Sequence, residues 1–237
     1  MDKIQYNKRS IIKYFNSGAE SNIYLYDDFN YDNFVLLKRF KSIDNDFLSN
    51  KENKVELIDD NESFKDEIKL YDMVYDRNDF IGYTMEHSFL KKFDSFSKKK
   101  IKINQLKLLR EKVEKLNNNN IFIGDFDEKN FLTSPEGDNI KLCDLDNYKI
   151  DKYDFDVVTR AIINFRKNCN KDEYIDSYCF NLFTIAYLYK INFAYLCEYI
   201  NDFNFSYFHN KENKEILESM KHLDDSYQYK FLIDNIK

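Results

Sequence analysis

Proline, glycine and tryptophan are scarce in this chain. Its 237 residues include one proline, four glycines and no tryptophan, whereas 19 tyrosines and 22 phenylalanines are present. We attribute this bias to an AT-rich coding sequence and not to function. With 43% hydrophobic residues, the chain has ample material for the core of one globular domain.

Cysteine and histidine are also few, and their arrangement argues against a zinc centre. The four cysteines form no C-x-x-C pair, and only three histidines are present. Free thiols suit a reducing compartment, so we expect a cytoplasmic protein. The first residues contain no long apolar segment, and we therefore expect no secretory signal.

Long apolar runs and a surplus of positive charge are lacking as well. The most apolar stretch, residues 180–200, is interrupted by Asn181, Lys190, Asn192 and Glu198, which favours a pair of buried helices over a membrane span. The net charge is −6. Nucleic acids and anionic membranes bind basic faces, so we expect neither as a partner.

The hydrophobic patterns run from strands to helices along the chain. The predicted elements are a strand, turn and strand over residues 10–40, a helix over 44–59, a hairpin from 68–75 and 80–87, an amphipathic helix around 103–116, and mainly helix after residue 174. This order predicts an α+β fold with its strands in the N-terminal part.

Two short segments nineteen residues apart carry the clearest chemistry. The first, G-D-F-D-E-K-N over residues 124–130, places Asp125 five residues before Asn130. The second, I-K-L-C-D, ends at Asp144 and follows a predicted turn at residues 135–139. Phosphoryl transfer from a metal-bound nucleotide needs a carboxylate near the acceptor hydroxyl and hard oxygen ligands for Mg²⁺. Taken alone, the two segments are equally compatible with solvated turns.

Further segments complete a recognisable order of motifs. In N-S-G-A-E-S-N-I, residues 16–23, Gly18 is the one glycine kept of a G-x-G-x-x-G-x-V loop, and Ile23 precedes Lys38 of a V-L-L-K strand by fifteen residues. Near residue 176, D-S-Y-C-F-N resembles the start of the long buried helix of a kinase large lobe. Together these motifs are similar to those of the protein kinase-like superfamily, in particular compact bacterial proteins of the eukaryotic-like Ser/Thr kinase type.

The resemblance implies a bilobal protein kinase-like fold in a single domain over residues 1–237. It implies a small antiparallel β-rich N-lobe over about residues 1–86, a hinge at about 86–89, and a helical C-lobe over about 90–237. The C-lobe is expected to be reduced, because Asp144 and Asp176 lie only thirty-two residues apart, without an A-P-E motif.

The resemblance also implies ATP and Mg²⁺ as cofactors. Asp125 would orient the acceptor hydroxyl and accept its proton, and Asn130 with Asp144 would ligate the metal. In the family, the aspartate at the position of Asp176 bonds the backbone of the catalytic loop. The other expected nucleotide contacts are Lys38 on the phosphates, Gly18, Ile23, Glu52, Met85 as gatekeeper, and the backbone of Glu86 and Ser88.

The predicted helix over residues 44–59 offers two glutamates for an ion pair with Lys38. Glu52 has Leu48 four residues before it and Val55 three after it, which places it on the apolar face. The corresponding neighbours of Glu56 are polar. We expect Glu52 to pair with Lys38, and Glu56 remains the alternative.

Departures from the family pattern leave three classes of function open. Gly124 replaces the arginine of H-R-D, so control by loop phosphorylation is not expected. Asp127 stands where protein kinases carry a lysine, which adds negative charge near a polyanion. We expect a phosphotransferase acting on Ser or Thr of a protein. The alternatives are a pseudokinase that acts as a nucleotide-binding or protein-interaction module, and a small-molecule kinase of the aminoglycoside or choline kinase type.

Overall fold

The structure is a computed structural model that describes residues 1–27, 34–94, 96–202, 208 and 210–236. It confirms the α+β class. The chain divides into two units, Met1–Phe89 and Leu90–Lys237. The division lies at the end of the segment expected to form the hinge.

The first unit contains one six-stranded sheet and one helix. Its elements are β1 (Asp2–Gln5), β2 (Ile11–Ser17), β3 (Ser21–Tyr26), β4 (Val35–Phe40), helix α1 (Asn45–Asp59), β5 (Leu70–Asp76) and β6 (Asp79–Met85). The sheet order is β1-β5-β6-β4-β3-β2, with β1 parallel to β5 and every other pair antiparallel. The helix predicted over residues 44–59 is confirmed as α1, and the predicted hairpin is confirmed as β5 and β6.

One expectation for this unit was wrong, and one strand was not predicted. Residues 10–40 contain three strands instead of two, and residues 28–33 of that range lie outside the described residues. Strand β1 was not predicted. It is an edge strand in which only Ile4 is apolar, so its sequence has no hydrophobic alternation to indicate it.

The register of the central strands brings three predicted site residues to one face of the sheet. Ile23 of β3 lies opposite Lys38 of β4, and Lys38 lies opposite Tyr83 of β6. Met85 is two residues beyond Tyr83 on the same strand. Directly paired residues and residues two apart share a face, so Ile23, Lys38 and Met85 point to the same side.

Helix α1 packs on this face. Its N-terminus is capped by Asp44, whose carboxylate accepts a hydrogen bond from the backbone N–H of Phe47 at 2.8 Å. The Phe47 ring lies 5.9 Å from the ring of Phe40 in β4. The helix also buries two lysines, Lys51 and Lys54, which the apolar pattern did not indicate.

The second unit is mainly helical. Its elements are β7 (Lys91–Lys92), α2 (Lys99–Asn117), β8 (Ile121–Phe122), β9 (Phe131–Thr133), β10 (Ile140–Leu142), β11 (Lys149–Ile150), α3 (Arg160–Asn168), α4 (Ile175–Tyr189), α5 (Phe193–Tyr199) and α6 (Lys211–Lys221). Strand β9 pairs with β7 and β10, and β8 pairs with β11, all antiparallel. The helical prediction after residue 174 is confirmed where it can be checked; residues 203–207 and 209 lie outside the described part.

Helix α4 is the centre of the second unit, because every residue from Ile175 to Leu188 is buried. The predicted apolar stripe of α2 packs inside the same unit, with all five of its apolar residues buried: Ile103, Leu106, Leu109, Val113 and Leu116. In the described part of the chain, no helix is both long and apolar enough to cross a membrane.

Gly82 permits the close approach of β6 to the Lys38 strand. A Cβ atom at Gly82 would lie 2.0 Å from the carbonyl oxygen of Lys38, which is backbone and cannot move aside alone. At Gly18, by contrast, the nearest atom to an added Cβ is the carbonyl oxygen of Ser21 at 3.9 Å.

We therefore expect Gly82→Ala to lower the free energy of unfolding by about 3 kcal/mol, near the upper end for overpacked sites. The matched Gly18→Ala variant should change it by less than about 0.5 kcal/mol. Urea unfolding of both variants measures the difference. Equal effects of the two substitutions would contradict the close approach.

Candidate active site

The loop after β8 is anchored by an aromatic side chain between two carboxylates. Phe126 is buried, with its ring 5.8 Å from Phe131 and 5.9 Å from Phe180 of α4. Asp125 and Asp127 flank it in sequence. Because Phe126 packs against helix α4, the backbone that carries both carboxylates is fixed to the core of the second unit.

Gly124 precedes this anchor in a conformation that favours glycine. Its φ is +66°, and a Cβ atom there would lie 2.6 Å from the Phe155 ring and 2.9 Å from Ile162. A side chain is thus excluded by both backbone and space. The packing and the backbone conformation together explain why position 124 is a glycine.

The carboxylate of Asp176 holds the same loop from helix α4. It accepts hydrogen bonds from the backbone N–H groups of Ile123, at 2.8 Å, and Gly124, at 2.9 Å. The Asn117 amide, turned so that all its groups are satisfied, donates to Asp176 at 2.9 Å. The backbone contact expected for Asp176 is therefore present.

Asp176 is fully buried, and this changes its acidity. Loss of solvation raises its pKa to about 7, while the two backbone hydrogen bonds act in the opposite direction. The loop is consequently tied to a group whose charge changes near neutral pH.

Asn130 combines a satisfied amide nitrogen with an unsatisfied oxygen. Its side chain is 3% exposed. The Nδ2 atom donates to the carbonyl oxygen of Asp125 at 3.1 Å and to Asp125 Oδ2 at 2.9 Å. No donor among the described residues reaches Asn130 Oδ1, which is buried. An orphaned buried acceptor costs about 1–3 kcal/mol, so this oxygen is suited to a cation or donor from a ligand.

The hairpin formed by β9 and β10 brings Asp144 beside Asn130. Phe131 pairs with Leu142, and the N–H of Cys143 donates to the carbonyl oxygen of Asn130 at 3.1 Å. The predicted turn at residues 135–139 is confirmed, and it sets this register. Asp144 follows immediately with a left-handed backbone, φ 54° and ψ 38°, which Asp adopts more readily than most residues.

Charges around Asp125 are of both signs. Burial raises the pKa of Asp125, the hydrogen bond from Asn130 and the charge of Lys129 lower it, and Asp127 and Asp144 raise it further. Lys129 Nζ lies 3.3 Å from Asp127 Oδ2. The negative charge noted at Asp127 is thus partly offset by a cation in the same loop. The sequence contained this signal as a carboxylate and an ammonium two residues apart.

The remaining predicted site residues belong to the first unit. Lys38 is 3% exposed, and its ammonium lies 5.7 Å from the ring centre of Tyr83 and 5.9 Å from that of Phe40. Ile23 and Met85 share its face of the sheet. Gly18 is exposed in the loop between β2 and β3, where its N–H donates to the carbonyl oxygen of Ser21 at 2.9 Å.

Glu52 lies in helix α1 with other partners beside it. Its Oε1 accepts a hydrogen bond from the Tyr75 hydroxyl at 2.5 Å and lies 3.7 Å from Lys3 Nζ. Glu56 also lies 3.7 Å from Lys3 Nζ. The pairing of either glutamate with Lys38 stays a prediction.

The expected adenine contacts follow β6. The N–H of Glu86 donates to the carbonyl oxygen of Lys69 at 2.8 Å, so this amide extends the sheet. The roles of the Glu86 carbonyl and of the Ser88 backbone stay predictions.

Across the described residues, no group of three or more His, Cys, Asp and Glu side chains is placed to hold a metal ion. A magnesium site built from one Asp, one Asn and phosphate oxygens would not form such a group. No protein-family model matches the chain, and no curated protein matches it. The interpretation of the site therefore depends on its own geometry.

The buried carboxyl of Asp176 predicts a pH dependence of stability. Its pKa is about 7 in the folded protein and about 3.9 when unfolded. Between these values the folded state retains a proton that the unfolded state has lost, so stability falls as pH rises towards 7. Relative to Asp176→Asn, the wild type should lose up to about 1.4 kcal/mol per pH unit.

Urea unfolding at pH 5.5, 6.5 and 7.5 measures this difference. Asp224→Asn is the matched control, since hydrogen bonds from Ser226 lower the pKa of Asp224 and its charge is constant over this range. A wild-type curve parallel to that of Asp176→Asn would contradict the shifted pKa.

Proposed function

We propose that this chain has a protein kinase-like fold and is a cytoplasmic, ATP- and Mg²⁺-dependent phosphotransferase that transfers the γ-phosphoryl group to a Ser or Thr hydroxyl of a protein. The observation that carries the proposal is the buried, unsatisfied Oδ1 of Asn130, a residue whose Nδ2 bonds the Asp125 carboxylate and whose backbone bonds Cys143, next to Asp144. One loop and one hairpin thereby supply the three oxygen-bearing groups that such a reaction uses.

Asn130 and Asp144 fit a magnesium ion. Mg²⁺ binds hard oxygens and usually takes one or two carboxylates together with substrate phosphates. Asn130 offers an amide oxygen without a donor among the described residues, and the hairpin register places the Asp144 backbone next to the Asn130 backbone. Mg²⁺ bound there would neutralise charge on the transferred phosphoryl group.

Asp125 is the proposed general base. Asn130 fixes its carboxylate through Oδ2, while Phe126 and Asp176 fix its backbone. Its raised pKa makes the carboxylate a better proton acceptor than an ordinary surface aspartate. It would take the proton of the acceptor hydroxyl as that oxygen bonds to the γ-phosphorus and ADP departs. Positioning and charge neutralisation are the main contributions to catalysis of this kind.

Lys38 is the proposed phosphate-binding cation of the first unit. It lies in a central strand, and it shares a face with Ile23 and Met85, which would contact the base and sugar. Lys38 belongs to the first unit, and Asp125, Asn130 and Asp144 belong to the second.

A second candidate function is nucleotide binding without efficient transfer. It is favoured by the position of Glu52, whose carboxylate holds Tyr75 and Lys3. The ion pair between Lys129 and Asp127 favours transfer, because it supplies a cation beside the candidate base.

Binding is tested by thermal melting with ATP. We expect the melting temperature to rise only when Mg²⁺ is also present, with a stabilisation of about 2.7 kcal/mol at a nucleotide concentration one hundred times its dissociation constant. Asp144→Asn should weaken this effect, since it removes a charge from the metal site. Asp151→Asn is the matched control because Asp151 is exposed and also has a left-handed backbone, φ 52°. Absence of a shift in the wild type at millimolar Mg²⁺ and ATP would contradict the proposal.

Chemistry is tested by Asp125→Asn. This variant should keep Mg²⁺-dependent nucleotide binding and lower phosphoryl transfer by about 10²- to 10⁴-fold, the usual effect of losing a general base. Labelled ATP is offered with the protein itself, generic protein substrates, and small alcohols and aminoglycosides as acceptors. Equal transfer by wild type and variant would refute the enzyme assignment, and transfer to small acceptors alone would identify a small-molecule kinase.

A further inference from the structure

An ion pair between a buried lysine and a half-buried glutamate joins helix α1 to the loop between β2 and β3. The Lys51 side chain is 0% exposed, and its Nζ lies 3.0 Å from Oε2 of Glu20, which is 27% exposed. The same ammonium lies 5.5 Å from the ring centre of Phe40 and 5.4 Å from that of Phe47. Glu20 thus places a counter-charge beside a cation that also lies near two aromatic rings.

Lys41 donates two hydrogen bonds to the backbone of the same loop. The Lys41 N–H donates to the carbonyl oxygen of Glu20 at 2.8 Å, and its Nζ donates to that of Gly18 at 2.5 Å. The loop is therefore attached at its glycine, at the Glu20 backbone and at the Glu20 side chain.

The glycine in this loop is not required by the conformation observed. Gly18 has no left-handed φ, and a Cβ atom would meet nothing closer than 3.9 Å. Both backbone groups of Gly18 are hydrogen-bonded within the protein, since its N–H donates to the carbonyl oxygen of Ser21 and its carbonyl oxygen accepts from Lys41 Nζ. The ion pair and the exposed glycine thus lie two residues apart on one short loop.

We propose that Lys51 is a positioning residue for nucleotide binding, which through its ion pair with Glu20 fixes this loop on helix α1, directly before strand β3, whose Ile23 lies opposite the proposed phosphate-binding residue Lys38. The assignment rests on the proposed function. Helix α1 would then supply a lysine that positions the β2–β3 loop, in addition to the glutamate predicted to pair with Lys38. Removing Glu20 would take a counter-charge away from the buried ammonium of Lys51, which is costly, so the pair restricts the loop.

The attachment is tested first without nucleotide, by amide hydrogen exchange at the N–H groups of Gly18 and Lys41. Lys51→Met keeps the length of the side chain and removes its charge. In Lys51→Met and in Glu20→Gln we expect both amides to exchange about tenfold faster, which corresponds to about 1.4 kcal/mol. The double variant should be no faster than the faster single variant, and Lys51→Arg should be protected like the wild type. Unchanged exchange in both single variants would overturn the attachment.

The consequence for binding is tested by calorimetry with Mg²⁺ and ATP at a temperature where all variants are folded by circular dichroism. Lys51→Met should raise the dissociation constant at least about fivefold, the lower end of usual coupling between sites. Lys65→Met is the matched control, because Lys65 forms an exposed ion pair with Glu62, and it should bind like the wild type.

The two measurements separate the possible failures. If exchange is faster but the dissociation constant is unchanged, Lys51 is structural and the positioning role is overturned. If the wild type binds no nucleotide while exchange still responds to Lys51→Met, the proposed function fails, and with it the role in binding, whereas the attachment of the loop stands.

Discussion

The buried carboxylate of Asp176 is the contact on which the second unit's candidate site depends. It joins the central helix α4 to the two backbone amides that precede Asp125. Two short hydrogen bonds to one rigid group leave the loop little freedom, and Phe126 removes most of what remains by packing on α4. The carboxylates at positions 125 and 127 are consequently held by the core and not by one another. Preorganisation of this kind is what a site needs when catalysis is mainly positioning.

Local patterns predicted those parts of the fold in which neighbours in sequence decide the structure. The stripe of α2, the β5–β6 hairpin and the turn before β10 were all found from spacing and turn residues. The adjacency of Asn130 and Asp144 follows from one of them, because a hairpin between two motif ends necessarily brings those ends together. The same reasoning could not assign the orphaned oxygen of Asn130, whose environment depends on burial by distant residues.

Features that depend on long-range packing were missed. Strand β1 gains its place from pairing with β5, about seventy residues away in sequence, and not from its own composition. Lys51 reads as a solvated helix residue, yet the rings of Phe40 and Phe47 and the carboxylate of Glu20 bury it. Charged residues are rarely buried without a partner. The burial of a lysine on a helix can therefore be predicted only when the residue that supplies its counter-charge is known.

The packing of Phe155 on Gly124 also limits how this protein could change by mutation. An arginine at position 124 would have to displace an aromatic ring and an isoleucine side chain and abandon a left-handed backbone in one step. A smaller residue at position 155 alone would leave the contact with Ile162 and the left-handed backbone in place, and it would carry a cavity costing about 3 kcal/mol or more. A route that begins with this substitution therefore begins with a loss of folding stability. The residues around Gly124 thus restrict which loops this chain can reach by single substitutions.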